Sequence, residues 1–193
     1  MDFRNNFMTI EPTGIEPASG TLLISTPFFN DTAFNHSVVV LLEHSSKGTV
    51  GLIINKRTNI QIQVAKPSWN IPGKLSFGGP VLVDSILALH NFADDDKFAK
   101  INENLYCGMD ETLLSVIEYD AIKTLKHRFF IGYSGWSEGQ LNHEIEQGMW
   151  VVADYMPELI FDTHFTKIWQ KAVWNLGEKY HHWLDIPEDI ILN

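Results

Sequence analysis

Apolar positions in this chain come first as short continuous runs and only later as helical stripes. Residues 21–25 (Thr-Leu-Leu-Ile-Ser) form one run, closed by Pro27. Residues 37–43 (Ser-Val-Val-Val-Leu-Leu-Glu) form a second and residues 49–55 (Thr-Val-Gly-Leu-Ile-Ile-Asn) a third, with Lys47-Gly48 as the turn between them. Short runs rich in β-branched residues and bounded by turn formers predict strands. A run that is apolar at successive positions predicts a strand covered on both faces, so residues 37–55 read as a hairpin in mid-sheet. The stretch 59–73 mixes Ile60, Ile62 and Val64 with Pro67 and Pro72 and fits either a short helix or a strand before a loop. Leu75-Ser76-Phe77 then runs into Gly78-Gly79-Pro80, a sharp strand-to-loop transition, because glycine tolerates positive φ and proline lacks a donor. Residues 85–90, 128–133 and 149–153 predict three further strands.

Helical spacing enters in the second half. A helix is expected to open at Asp110, with Leu113, Leu114 and Ile117 on one face. Another is expected over 137–147, with Leu141 and Ile145 inward and Gly148 behind it. In the clearest one, Phe165, Ile168, Trp169, Ala172, Val173 and Leu176 recur at intervals of three and four before Gly177. Residues 180–186 gather Tyr180, Trp183, Leu184 and Ile186, a C-terminal aromatic tail that either packs on the sheet or offers a partner surface. Pro12, Gly14 and Pro17 make residues 1–19 an irregular N-terminal arm, and residues 20–193 read as a single domain. Strands outnumber helices and turn back on themselves, so the expected class is α+β, a mixed sheet flanked by helices.

Composition narrows the function classes. A chain of 193 residues buries about 70% of the surface its unfolded form exposes, enough for one self-sufficient core. Against 14 Lys and Arg stand 24 Asp and Glu, and the net charge of -10 opposes contact with a phosphate polyanion, so nucleic acid is not the expected partner. The single cysteine, Cys107, excludes an internal disulfide and a thiolate metal cluster. The first twenty residues carry Asp2, Arg4, Glu11 and Glu16 without an apolar signal core, and the aliphatic run Val38 to Leu42 falls far short of the ~20 residues that cross a bilayer. The expectation is a cytoplasmic protein with no membrane contact, no cofactor and no metal, whose partner is a small ligand or another protein.

One motif carries possible chemistry. Gly135-Trp136-Ser137-Glu138-Gly139 matches the G-x-S-x-G nucleophile elbow between an expected strand and an expected helix. A small serine hydrolase would use the Ser137 hydroxyl, with Asp154 or Asp162 and His164 or His181 completing a triad. The structural alternative is a capping box, since Gln140 follows Ser137 by three residues and the hydroxyl would accept from the first helical turn. His143-Glu144-Ile145-Glu146-Gln147 opens like a zinc helix but lacks its second histidine. Gly78-Gly79 lacks the lysine of a phosphate loop. A DNA-binding regulator would have to use the local cations Lys123, Lys126 and Arg128, which otherwise read as a helix end answering its dipole.

Several motifs in one order resemble the AlgH/YqgE family of small bacterial proteins. They run from Gly20-x-Leu22-Leu23 through Asp31, Phe34, Glu43-His44 and Gly51-Leu52-Ile53-Ile54-Asn55 to Gly78-Gly79-Pro80-Val81. They continue with Gly132-Tyr133-Ser134-Gly135-Trp136, Gly139-Gln140-Leu141 and Glu144-Ile145 and end at Trp150, Phe161 and Trp169. The resemblance implies one α+β domain with a strongly bent, mostly antiparallel mixed sheet in the bacterial cytoplasm. Members are commonly described as transcriptional regulators, with no established reaction and no recognisable DNA-reading motif. Among the shared residues, Asp31, His44, Asn55, Tyr133, Trp136, Gln140 and Glu144 are polar or amphipathic groups near strand ends that could line one cleft. The leading expectation is a non-enzymatic binding or regulatory protein using them. Their structural alternative is capping and closing of turns, strands and helix starts. The chain departs from the family in its added arm and at Leu105-Tyr106-Cys107-Gly108.

Overall fold

A computed structural model describes residue 10, residues 12–29 and residues 31–186; arm positions 1–9 and 11 and tail positions 187–193 lie outside the described residues. The first half contains β1 (Leu22–Ser25), β2 (Val38–Ser45), β3 (Gly48–Ile53), β4 (Arg57–Gln61), α1 (Ile62–Ala65), β5 (Lys74–Phe77) and β6 (Val81–His90). It is followed by β7 (Ala99–Asn102), β8 (Leu105–Cys107), α2 (Glu111–Glu118), β9 (His127–Trp136), α3 (Gln140–Glu146) and β10 (Trp150–Ala153). The chain closes with α4 (Pro157–Phe161), α5 (Ile168–Asn175) and the 3-10 segments Phe165–Lys167 and Glu178–Asp185. The strands form one mostly antiparallel sheet in the order β10-β1-β2-β3-β9-β6-β8-β7, to which β4 and β5 attach through a parallel β5–β9 pairing. This is the expected single α+β domain with a mixed sheet.

Strand β9 is the spine. Its distal end pairs with β3, through Gly51↔Ser134 and Thr49↔Trp136, while its proximal part pairs with β5 through Phe130 and Ile131 and with β6 as far as His90↔His127. The change of partner falls at Gly132, which has φ +69°. There the backbone of β9 touches the β5–β6 link: a Cβ on Gly79 would lie 2.3 Å from the Tyr133 carbonyl, and one on Gly132 would lie 2.3 Å from the Gly79 oxygen. Only glycine allows both the left-handed turn and the approach of one backbone to the other.

Both faces of the β1–β3 region are covered, as the unbroken apolar runs require. Leu22, Ile24, Val38, Val40 and Leu52 share one core with Leu159, Ile168, Trp169, Val173, Tyr180 and Trp183. Leu23, Val39, Leu41 and Ile53 face the other way, toward Trp136, Leu141, Trp150 and Val152. Each such aliphatic side chain contributes about 1.5–3 kcal/mol by leaving water. The aromatic tail thus packs inward as far as Trp183, which is 3% exposed. A third cluster joins Ile62, Ile71, Leu75, Ala88 and Phe129, with Leu114 and Ile117 of α2 packed against it. Asp110 caps α2 as expected, its carboxylate accepting from the Leu113 amide at 2.8 Å.

Four details depart from the sequence reading. The ambiguous stretch 59–73 holds the end of a strand and a one-turn helix in succession, β4 and α1. The β7–β8 hairpin escapes a periodicity reading because Ala99-Lys100-Ile101-Asn102 carries few apolar positions; its turn signal is Asn102-Glu103-Asn104. Helix α4 has no periodic stripe in its five residues, and its only sequence signal is Pro157 at the first turn. Helix α3 starts at Gln140, not at 137, because Gly139 sits at φ +69° in front of it.

Among the described residues no helix is long and apolar enough to cross a membrane, and no group of three or more His, Cys, Asp and Glu could hold a metal ion. Cys107 is buried, and burial pushes its thiol up to about 11, which leaves little nucleophilic thiolate near neutral pH. His90 is fully buried between Phe98 and Tyr106 and pairs in register with His127. Burial holds both imidazoles below the ordinary 6.5, and His127 adds to the depression of His90.

Two predictions follow from these contacts. Gly79→Ala should destabilise by about 4 kcal/mol or more, or prevent folding. Gly139→Ala, with nothing within 4 Å of its Cβ, should lose only about 1–2 kcal/mol for its left-handed backbone. Urea unfolding of the two variants checks the contrast, and similar losses would contradict the crossing at Gly132. Because the folded state keeps His90 and His127 neutral, the unfolded chain binds more protons below its ordinary value. Stability is therefore full above pH 6.5 and falls as pH drops below it toward the depressed folded values. Melting temperatures from pH 8 to 5 should stay level at first and then decline, with a shallower decline in His127→Gln.

Candidate functional site

The G-x-S-x-G segment lies at the end of β9, where Trp136 turns its indole under α3. Trp136 Nε1 and Trp150 Nε1 each donate to Glu144 Oε2 at 2.8 Å, and Gln140 Nε2 donates to Glu144 Oε1 at 2.9 Å. Gln140 Oε1 in turn accepts from the Ser137 amide and the Ser137 hydroxyl, both at 3.0 Å. A single half-buried carboxylate therefore binds two buried indoles, 6% and 1% exposed, and ties α3 to the sheet. A carboxylate suits this position because it only accepts and can serve several donors at once.

The expected capping box is half present. Gln140 reaches back to the Ser137 amide as such a box requires, but the Ser137 hydroxyl donates to the Gln140 side chain and does not accept from the helix; Gly139 occupies the cap position. Ser137 is exposed and its hydroxyl is bonded to an amide oxygen, with no imidazole bonded to it. Of the proposed triad partners, His164 bonds Thr166, His181 stacks on Trp174 and Asp162 pairs with Lys126.

The seven expected binding residues do not form one cleft. Trp136, Gln140 and Glu144 are brought together but spend their polar atoms on one another. Tyr133 and Trp136 line a hollow of about 370 Å³ beside the β2–β3 turn. His44 lines a separate hollow of about 380 Å³ on Glu138, Gly139 and Asn142, with its Nδ1 2.7 Å from the Thr49 hydroxyl. Asp31 caps a turn, accepting from the Ala33 and Phe34 amides at 2.7 and 3.2 Å. Asn55 closes the hairpin, accepting from the Val38 amide at 2.9 Å and donating to the His36 carbonyl at 2.7 Å.

Asn55 does border a larger cavity of about 570 Å³, shared with Thr32, His36, Arg57, Phe165, Thr166, Trp169 and Gln170. His36, Arg57 and Phe165 are far apart in sequence and carry no spacing motif, so the sequence alone does not mark them as site residues. The His36 ring lies 4.2 Å from the Trp169 ring, and the Trp169 indole donates to the Ser25 carbonyl at 3.0 Å. Of the cations considered for DNA, two are ion-paired and the third donates to neutral acceptors. Lys123 pairs with Asp120, Lys126 with Asp162, and Arg128 donates to the Ile160 carbonyl and the Ser76 hydroxyl.

Removing the shared carboxylate should be felt by the whole of α3. Glu144→Ala leaves two indole donors without their acceptor and should lower stability by about 2–4 kcal/mol in urea unfolding, with Trp emission changed. Ser137→Ala, at an exposed turn, should change stability by less than about 1 kcal/mol. Equal effects of the two substitutions would contradict the bonding described.

Known proteins agree with this architecture. A family model described as AlgH-like (DUF179) matches residues 22–181. A UPF0301 protein of Bacteroides thetaiotaomicron is 33% identical over 193 residues, covering 97% of each chain. One from Cytophaga hutchinsonii is 36% identical over 180 residues, 90% of this chain and 98% of its own. Among solved structures, the protein DIP2367 from Corynebacterium diphtheriae superposes with a TM-score of 0.76 at 24% identity, over 90% of this chain and 94% of that one. The AlgH protein from Pseudomonas aeruginosa superposes with a TM-score of 0.70 at 24% identity, over 85% and 94%. On the family-model match and these relatives, the chain belongs to the AlgH-like family.

Proposed function

We propose that this protein is a non-enzymatic binding or regulatory protein, and that its small ligand enters the cavity bordered by Asn55, His36 and Trp169. The observation that carries the reading is the way this wall is braced. Asn55 is held at both ends of its amide by the Val38 and His36 backbones, and Trp169 is held by Ser25, so the wall is braced by the protein's own backbone. Preformed walls lower the ordering entropy that binding must overcome. An aromatic floor of Trp169 and Phe165 under a polar rim of Thr32, Thr166 and Gln170 is the mixture that small-molecule sites use. At about 570 Å³ it has the size of such a site, and it exceeds the hollows beside His44 and Tyr133. The bond from the Ser137 hydroxyl to Gln140 supports the non-enzymatic side of the reading, because a nucleophile needs a base at that position.

A thermal-shift screen tests it. A ligand present at about a hundred times its Kd should raise Tm by roughly 5–10 °C. Gln170→Trp, an exposed substitution that fills the cavity from α5, should abolish the shift while leaving the unliganded Tm nearly unchanged. A shift that survives Gln170→Trp would remove this cavity from consideration. Turnover of an activated ester that disappears in Ser137→Ala would overturn the non-enzymatic reading.

A further inference from the structure

A second cavity, of about 450 Å³, opens where β4, β5, the start of β9 and the α4 segment meet. Arg57, Lys74, His127 and Arg128 line it together with Ser76, Phe129, Thr163 and Phe165, and among the described residues no carboxylate does. In a chain whose acids outnumber its bases by 24 to 14, a cavity with only cations on its wall is against the composition. Among the described residues neither arginine has an acidic partner. Arg128 donates to the Ile160 carbonyl at 2.9 Å and the Ser76 hydroxyl at 2.8 Å and lies over the Phe130 ring at 5.0 Å. Arg57 lies over the Phe165 ring at 4.4 Å. Arg128 gives one N–H to each of these acceptors and Arg57 rests on a ring face, and neutral acceptors and ring faces compensate the two charges only partly. Burial and the neighbouring Arg57 hold the Arg128 guanidinium down to about 10, the mark of a cation that lacks a counter-charge. His127 adds a buried Nδ1 with no hydrogen-bond partner.

The geometry points to a binding site in this cavity for the phosphate group of a small phosphorylated molecule, gripped between Arg57 and Arg128 with Lys74 at the rim. Two planar forks and an ammonium supply the donors that a tetrahedral dianion accepts, and the absence of a carboxylate removes the repulsion that would exclude it. More than one cation favours a dianionic phosphate ester over a monocarboxylate of the same size. Phe129, Ile62 and Pro72 offer apolar surface to the organic part of such a ligand. The two cavities share Arg57 and Phe165 but are told apart by Lys74, which lines only this one, and by Gln170, which lines only the other.

Calorimetry and thermal shift with phenyl phosphate, inorganic phosphate and benzoate, each at ionic strength matched with sodium chloride, decide the matter in the full chain. Phenyl phosphate should raise Tm saturably and bind most tightly, inorganic phosphate should compete with it, and benzoate should bind at least tenfold more weakly. Arg57→Gln and Lys74→Gln should each weaken phenyl phosphate by about tenfold to a hundredfold. Arg57→Gln should change the unliganded Tm little, since the like charge it removes from beside Arg128 offsets the lost contact with the Phe165 ring. Gln170→Trp should leave the binding intact. Absence of stabilisation by both phosphates, an equal effect of sodium chloride alone, benzoate binding as tightly as phenyl phosphate, or full binding in both charge variants would each overturn the site.

Discussion

Strand β9 can serve β3, β5 and β6 in ten residues because its backbone reverses hand at Gly132 and lies against Gly79 without a side chain between them. The cationic cavity and the α3 corner both hang from this strand. Its first residues supply His127 and Arg128 to the cationic cavity. Its last residues supply Trp136 and lead into Ser137 and α3. A bulkier residue at the crossing would separate the β5–β6 link from β9 and so loosen both ends of the molecule together.

At the α3 corner one motif has two structural contexts. G-x-S-x-G is shared by strained nucleophile elbows and by ordinary strand-to-helix turns, and what distinguishes them is the partner of the hydroxyl. Here the partner is the Gln140 amide, which is itself engaged by Glu144. The corner is held by a carboxylate that joins two indoles, an amide and, through it, a serine. That arrangement is a brace, and its satisfied polar atoms leave little for an outside molecule.

How much could be read in advance follows from the range of each signal. The hairpin at 37–55, the strands around it and the final helix were legible because burial on two faces or on one stripe repeats within a few residues. The β7–β8 hairpin and α4 were not, because each is too short for its periodicity to show. Asp110 as a helix cap was legible from one residue. The single cleft imagined for Asp31, His44, Asn55, Tyr133, Trp136, Gln140 and Glu144 dissolves into a brace, two hollows, a turn and a hairpin closure. Residues near strand ends share a neighbourhood only if the strand order brings those ends together, and strand order is a non-local property. For the same reason Arg57 and Arg128, 71 positions apart by their numbering, could not be paired from the sequence. Their meeting depends on β5 lying parallel to β9.

The edge order of the sheet has a further bearing on how the chain is made. Strand β1 finds β2 soon after synthesis, but its outer neighbour is β10, with Leu22 opposite Ala153 and Ser25 opposite Trp150. At the usual pace of translation the intervening segment takes on the order of ten seconds to emerge. During that interval the Leu-Leu-Ile edge of a nascent chain stands unzipped, a ready template for a neighbouring polypeptide. A ribosome-associated chaperone that shields residues 22–25 would have its window of action set by the position of β10 in the gene.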